Sequence, residues 1–367
     1  MRFAHLADTH LGYRQYNLDE REKDFYDAFH ECVDKIIERD CAFVVHSGDL
    51  FDEPRPHVRA LVEVRKGLER LHEAGIPFIC IAGNHDILLR KGAVPPQRVY
   101  RHLKLLTPKK PWMEIDGVFV GGLPYHSRVH AGALKEGLKD LAAEAKEFDR
   151  RILLLHQGVF ELFSLEYEVR LQDIPDSFDY YALGHIHSRI EWDYGRGKMC
   201  YPGSTEVWRI DEVKDYDKNG KGFNIVDTAD WSVERVDLGC IRPFIRIEAG
   251  RDLDILDLLE SLPEGKKPVL HLTVEQEPEE YQKTYRRLLQ EVGEKALHLD
   301  VKRKPGGETT EARAPETVEI KVLMDALLEK RTDEERAFAY EMFKALSKGE
   351  MEKARERADH FYREVFR

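Results

Sequence analysis

Through the first two thirds of the chain, short apolar runs alternate with longer stretches in which apolar residues recur every three or four positions. Runs at 3–7, 42–46, 78–82, 118–120, 152–155 and 180–183 have the length and composition of buried strands. Between them, residues 20–39 place Phe25, Ala28, Phe29, Cys32, Val33, Ile36 and Ile37 on one helical stripe. Residues 58–73 do the same with Leu61, Val64, Leu68 and Leu71, and stop before Gly75, a residue suited to a helix C-terminus. An alanine- and leucine-rich helix is predicted over 133–148 and a less regular one over 98–106. Strands alternating with amphipathic helices predict an α/β layered fold. Strands that are apolar throughout predict sheets covered on both faces.

The pattern changes after Gly239. Residues 244–248, 269–274 and 297–301 alternate like half-exposed strands, separated by helical patterns at 253–262 and 279–291, which predicts a small β-α-β-α-β domain. A polar, glycine-containing stretch then reads as a linker, and helical periodicity returns with Ile320, Leu323, Met324, Leu327 and Leu328, followed by Phe338, Met342, Phe343 and Leu346. Short helices behind a linker do not bury such faces alone. They pack either on the parent protein or, as the tether favours, in a groove on a partner. The expected organisation is therefore 1–239, 240–304, a linker at 305–316, and partner-binding helices at 317–367.

At 367 residues the chain has material for a large core. Its 69 acidic and 57 basic residues give a net charge of −12, so nucleic acid is repelled by the bulk field and must be held by local basic patches and bound cations. No run approaches membrane-spanning length and the N-terminus lacks a signal-peptide pattern, which predicts a cytoplasmic protein with no membrane attachment. The five cysteines are scattered without a C-x-x-C pair and are poor ligand candidates. No Gly-x-x-x-x-Gly-Lys-Ser/Thr string occurs, so ATP binding by that route is excluded.

What the strands end in carries the chemistry. The apolar runs lead into Asp8-Thr9-His10, Ser47-Gly48-Asp49, Gly83-Asn84-His85-Asp86, His156-Gln157-Gly158 and Gly184-His185-Ile186-His187. One aspartate after a strand is ordinarily a turn or cap residue, and one buried histidine is ordinarily just hydrogen-bonded. Five coincident strand ends favour a joint role, since ligand sites in α/β folds gather at strand carboxyl ends. Gly184 permits a bend after which both histidines of the last motif can turn toward one point. Carboxylate, amide and imidazole without thiolate suit manganese, iron or zinc. Seven donors, Asp8, His10, Asp49, Asn84, His156, His185 and His187, exceed one site. With one bridging carboxylate they serve two metals roughly 3.5 to 4 Å apart, a clamp suited to in-line displacement at phosphorus.

In that order the motifs resemble the metallophosphoesterase superfamily. Longer strings, including His10-Leu11-Gly12-Tyr13-Arg14-Gln15-Tyr16, Arg21-Glu22-Lys23-Asp24, Ser47-Gly48-Asp49-Leu50-Phe51 and Pro202-Gly203-Ser204-Thr205-Glu206, resemble the archaeal, SbcD-type meiotic-recombination-eleven nucleases of double-strand-break repair. The resemblance implies a sandwich of two sheets flanked by helices, with a small α+β capping domain and a C-terminal helical partner-binding segment. It implies two Mn(2+) per subunit, with Mg(2+) or another divalent metal able to substitute in vitro. Asp8, His10 and His187 would hold one ion, Asn84, His156 and His185 the other, and Asp49 would bridge. His85 would be left to contact the scissile phosphate and protonate the leaving oxygen. Asp86 would either orient His85 or cap a helix. Tyr13, Arg14, Arg55, Arg90 and Lys91 follow the metal motifs closely and are either DNA phosphate contacts or solvated loop charges.

The implied activity is 3′ to 5′ exonuclease on duplex ends with single-strand and hairpin endonuclease. The implied partners are DNA ends, a coiled-coil ABC-type ATPase docked on 317–367, and a second copy contacted through helices near 58–73 and 98–106. Two rival readings share parts of this pattern. A metallophosphatase or cyclic-nucleotide phosphodiesterase shares the donors, but Gly48-Asp49-Leu50-Phe51-Asp52 departs from the phosphatase motif Gly-Asp-x-Val-Asp-Arg-Gly. A non-catalytic DNA-end tether has no need of seven converging donors. Asp52 stands where some relatives of the family carry histidine, which separates this position from the strand handling attributed to it there.

Overall fold

The structure, a computed structural model, describes residues 1–88, 92–164, 167–249 and 254–304, and beyond these 332, 335, 338–342, 357 and 361. Residues 1–304 form one compact unit and residues 305–367 another. The expected linker at 305–316 lies outside the described residues, as does most of the helical segment at 317–367. Within the second unit the rings of Phe338 and Phe361 stack with centroids 4.1 Å apart.

The strands are β1 (Arg2–Leu6), β2 (Phe43–His46), β3 (Phe78–Cys80), β4 (Leu103–Leu105), β5 (Trp112–Ile115), β6 (Val118–Leu123), β7 (Arg150–His156), β8 (Tyr180–Gly184), β9 (Ile190–Tyr194), β10 (Gly197–Tyr201), β11 (Gly222–Asp227) and β12 (Val233–Asp237). They build two six-stranded mixed sheets, in the orders β12-β11-β1-β2-β3-β4 and β5-β6-β7-β8-β10-β9. The centre of each is parallel: β1, β2, β3 and β4 in the first, and β6, β7, β8 and β10 in the second.

Strand periodicity explains why the runs are apolar throughout. Phe3, Val45 and Ile79 point between the sheets with Ile152, Leu154, Tyr180 and Ala182 from the opposite sheet. Their neighbours Ala4, Val44 and Cys80 pack outward against helices α1 (Asp19–Glu38) and α2 (Val58–Glu73). On the other sheet Leu153, Leu155, Tyr181 and Leu183 pack with Leu134, Leu138 and Leu141 of helix α3 (Ala131–Glu144). Alternate residues thus serve two different apolar layers. The architecture is the expected sandwich of two sheets flanked by helices.

One predicted helix is absent. Residues 98–106 hold the end of a short 3-10 turn (Pro96–Val99) and strand β4, which pairs parallel with β3. Leu103 to Leu105 pair with β3 and complete the edge of the first sheet, so the expectation of a dimer helix at 98–106 is corrected. Helix α4 (Val213–Asn219) was not predicted. It follows a polar stretch without a clear apolar stripe.

After Gly239 the predicted alternation is found as β13 (Phe244–Ala249), helix α5 (Ile255–Ser261), β14 (Val269–Glu275), helix α6 (Pro278–Glu291) and β15 (His298–Lys304). The three strands form a parallel sheet. It is joined to the sandwich through Asp24, which accepts hydrogen bonds from Arg21 Nη1 at 2.6 Å, Arg242 Nε at 2.6 Å and Lys266 Nζ at 3.0 Å.

Candidate metal centre

The loops after β1 and β2 run side by side, with Asp8 N–H donating to Gly48 O and His10 N–H to Asp49 O, both at 3.1 Å. This zipper carries the two loops' side chains to one place. Four of the seven predicted donors sit at positive φ: Asp8 (52°), His10 (42°), Asp49 (54°) and His185 (89°). Non-glycine residues adopt that region rarely, and its clustering here marks backbone held by its surroundings for the sake of side-chain direction.

Glycines make the convergence possible for a reason of space. A Cβ on Gly83 would lie 2.1 Å from Asp49 Oδ1, and one on Gly184 would lie 2.2 Å from the Ser47 carbonyl oxygen. Gly184 ends β8 in the sheet, and the left-handed turn falls on His185 instead. Its role as a bend residue is therefore corrected to one of close approach.

The donors gather into two neighbouring groups. Ligand atoms of Asp8, His10 and His187 all lie within 4.8 Å of one another, as do those of Asp8, Asp49 and His156. His10 Nε2 faces His187 Nε2 at 3.1 Å. On the other side, Asn84 Oδ1 is 3.0 Å from His156 Nε2 and 3.1 Å from His185 Nδ1. Asp49 lies between, with Oδ2 3.2 Å from His156 Nε2 and 3.9 Å from His10 Nε2. The two histidines of the Gly-His-x-His motif thus diverge, one to each group. The chemistry of the set fits divalent cations. Burial would push the His156 imidazole down in pKa, but the Asp49 and Asp8 carboxylates carry it up to about 9. Buried carboxylates that force a proton onto a buried imidazole are a pocket for positive charge.

Backbone and carboxylate groups behind the donors fix their rings. His156 Nδ1–H donates to the Ser47 carbonyl at 2.7 Å, and His187 Nδ1 meets Glu212 Oε1 at 2.7 Å. Burial would lower the pKa of His187, and the Glu212 charge raises it instead. Glu168 stands 3.7 Å from His185 Nε2 and takes the Gly158 N–H at 2.8 Å. Glu212 and Glu168 were not singled out in the sequence, because an isolated glutamate in a polar loop carries no signal of its own. Partners of this kind orient metal ligands and raise their basicity.

His85 is set apart from the donors. Its backbone N–H donates to Asp49 Oδ1 at 2.8 Å and its ring Nδ1–H to the Asp52 carbonyl at 2.7 Å, which leaves Nε2 toward a cleft of about 340 Å³. Asp86 neither orients that ring nor caps a helix. It is fully buried, and its carboxylate accepts from the backbone N–H groups of Leu50 (3.2 Å), Phe51 (3.0 Å) and Gly83 (3.0 Å). The expectation is corrected: Asp86 clamps the loop bearing Asp49 to the loop bearing Asn84.

A family model for calcineurin-like phosphoesterases matches residues 1–189. Among curated relatives, the DNA double-strand break repair protein Mre11 of Methanocaldococcus jannaschii is 41% identical over 254 residues, spanning 67% of this chain and 69% of the relative. That of Methanococcus maripaludis is 39% identical over 289 residues, spanning 75% and 78%. That of Saccharolobus solfataricus is 36% identical over 307 residues, spanning 79% of each. The chain belongs to the Mre11 family.

Tyr13 is half-buried, with its ring 5.5 Å from that of Trp208, and Trp208 in turn stacks on His10 at 5.1 Å. Arg14 is exposed and pairs with Asp19 at 2.7 Å. Arg55 is exposed on the loop that follows Asp52. Arg90 and Lys91 lie outside the described residues. A second cleft, of about 580 Å³, opens beside Asp52 and is lined by Tyr13, Arg14, His57 and Arg59 among others. Among the described residues no helix is long and apolar enough to cross a membrane.

Proposed function

We propose that this chain is a DNA double-strand-break repair nuclease that hydrolyses phosphodiesters with two Mn(2+), shortening duplex ends from 3′ to 5′ and cutting single strands and hairpins. The observation that carries the reading is the convergence of seven donors beside one imidazole, that of His85, whose Nδ1–H is held by a carbonyl and not by the donor set. The relatives' names, DNA double-strand break repair protein Mre11, point to the substrate. Asp8, His10 and His187 would hold one ion and Asn84, His156 and His185 the other, with Asp49 available to both. When bound, the ions supply Lewis-acid charge at phosphorus and an acidified water. His85, with Nδ1–H fixed on a carbonyl, presents Nε2 to the cleft and donates the proton to the leaving oxygen.

Tyr13, Arg14, Arg55, Arg90 and Lys91 receive the DNA backbone, so that the local rim offsets the repulsion of a −12 chain. The segment 240–304 caps the nuclease segment 1–239. A second copy is contacted through α2, where Val58 is 75% exposed, and through the 3-10 turn, where Val99 is 67% exposed and the following Tyr100 O–H donates to the Leu61 carbonyl of α2 at 3.0 Å. Residues 317–367, behind the linker 305–316, dock on a coiled-coil ABC-type ATPase in the cytoplasm. Parallel rates on duplex DNA, on cyclic nucleotides and on p-nitrophenyl phosphate test the reading. Preference for DNA supports it, and preference for the small esters moves the chain to the phosphatases of the same superfamily. Deleting 317–367 is expected to abolish ATPase association and to spare manganese-dependent cleavage.

A further inference from the structure

Asp52 occupies a position that the two-ion account leaves unused. Its backbone carbonyl accepts the Nδ1–H of His85 at 2.7 Å. Its carboxylate Oδ1 accepts the indole N–H of Trp208 at 3.0 Å and stands 3.3 Å from His10 Nδ1. His10 Nδ1 is buried without an aligned hydrogen-bond partner, and Asp52 Oδ1 is the acceptor beside it. Trp208 completes the arrangement, with its ring stacked on His10 at 5.1 Å and perpendicular to that of His85 at 5.5 Å. One residue thus reaches the ring of a metal donor with its side chain and the ring of the proton donor with its main chain.

We propose that Asp52 is a positioning residue that sets the distance between the His10-bearing metal group and the His85 proton donor, with Trp208 as its anchor. The proposal rests on the functional reading above and deepens it. The other donor imidazoles show what is needed. His187 has Glu212 behind its Nδ1 and His156 has the Ser47 carbonyl, each at 2.7 Å. His10 has Asp52. Ligation through Nε2 leaves Nδ1 as the protonated nitrogen, and a carboxylate behind it fixes the tautomer and the ring plane. Asp52, His10 and His85 also offer donor atoms within 4.8 Å of one another, as ligands to a further cation would. His85 Nδ1 is already engaged by a carbonyl and Asp52 Oδ1 by an indole, which assigns this grouping to hydrogen bonding.

The test uses the full chain as Asp52→Ala, Asp52→Asn and Trp208→Phe beside the unaltered protein. Manganese binding is followed by calorimetry, and cleavage of duplex DNA is compared with that of bis-p-nitrophenyl phosphate, whose leaving group needs no proton. Asp52→Ala is expected to weaken one of two manganese sites about 10- to 100-fold and to lower kcat on DNA several-fold more than on the activated diester. Asp52→Asn, which keeps an acceptor for Trp208 and for His10 Nδ1–H, should recover most of both losses, and Trp208→Phe should reproduce part of them. The proposal is overturned by unchanged manganese affinity in Asp52→Ala, by equal losses on the two substrates, or by a loss of melting temperature that Asp52→Asn fails to rescue. If the unaltered chain cuts no DNA, the nuclease reading falls while the manganese titrations still decide the role of Asp52.

Discussion

His187 Nδ1 lies 2.7 Å from Glu212 Oε1, and the other oxygen of Glu212 accepts from Lys221 Nζ at 2.6 Å. The buried lysine holds the carboxylate, the carboxylate holds the imidazole, and the imidazole is left to present Nε2 to the centre. Burial alone would raise the Glu212 pKa, but Lys221 and His187 drive it well below the usual carboxylate range. Glu212 therefore stays ionised throughout the working pH range.

Replacing Glu212 with glutamine should weaken manganese binding at the His187 side about 10- to 100-fold and also lower stability, because it leaves the buried Lys221 ammonium without its counter-charge. Alanine should destabilise the fold further, because it also removes the oxygen that accepts from the Lys221 ammonium. Titration of the metal-stripped chain followed by thermal melting separates the two effects.

Gly184→Ala is expected to displace Ser47 and the His156 ring behind it, since the new Cβ meets the Ser47 carbonyl oxygen at 2.2 Å and His156 Nδ1 at 2.8 Å. Both contacts belong to packed backbone or a held ring, so neither yields cheaply. Manganese binding should fall together with the melting temperature. An unchanged melt would contradict the close-approach role.

The convergence of the seven side chains was legible because each follows an apolar run, so that periodicity and chemistry mark the same stretch. Gly184 was legible as a special residue but not for its reason, which lies in Ser47, far away in the chain. The groups behind the donors were not legible: Glu212 and Asp52 act through contacts between separate loops, and no local spacing distinguishes them from surface acids. Residues 98–106 failed as a helix because a three-residue edge strand after a 3-10 turn mimics helical spacing over so short a span. Only pairing with β3 decides it.

His5 and His46 are fully buried and held neutral, each with its pKa pushed down to about 3, first by desolvation. The hydrogen bonds fit a neutral His5: Ser47 Oγ–H is spent on the Ala182 carbonyl, so Oγ accepts from His5 Nε2–H, and Tyr180 O–H donates to Nδ1. Folded values below the unfolded value of about 6.5 mean that the unfolded chain takes up protons first. Stability of the metal-stripped protein should therefore be full above that value and decline as pH falls toward 3, by about 1.4 kcal/mol per pH unit for each group. Urea midpoints measured across this window should fall less steeply in His5→Gln than in the unaltered chain.

Asp24 gathers Arg21, Arg242 and Lys266, and Arg21 also donates through Nε to Gln15 Oε1 at 2.8 Å. Gln15 in turn donates to the Trp208 carbonyl at 2.9 Å. Asp24→Ala leaves the buried Arg242 guanidinium without its counter-charge, while Arg21 keeps Glu206 at 3.3 Å, and should cost about 3 to 5 kcal/mol, read from urea unfolding. The conservative Asp24→Glu should recover only part, because the buried fork geometry admits little extra length.

The most direct test is cleavage of an end-labelled duplex and a labelled hairpin by the metal-stripped chain with manganese or magnesium restored, beside His85→Gln. The account predicts manganese-dependent shortening from the 3′ end and hairpin opening. In His85→Gln both should drop by about 10²- to 10⁴-fold while calorimetry still finds two manganese ions bound. Cleavage retained in His85→Gln, or no cleavage of either DNA by a chain that hydrolyses p-nitrophenyl esters, would contradict it.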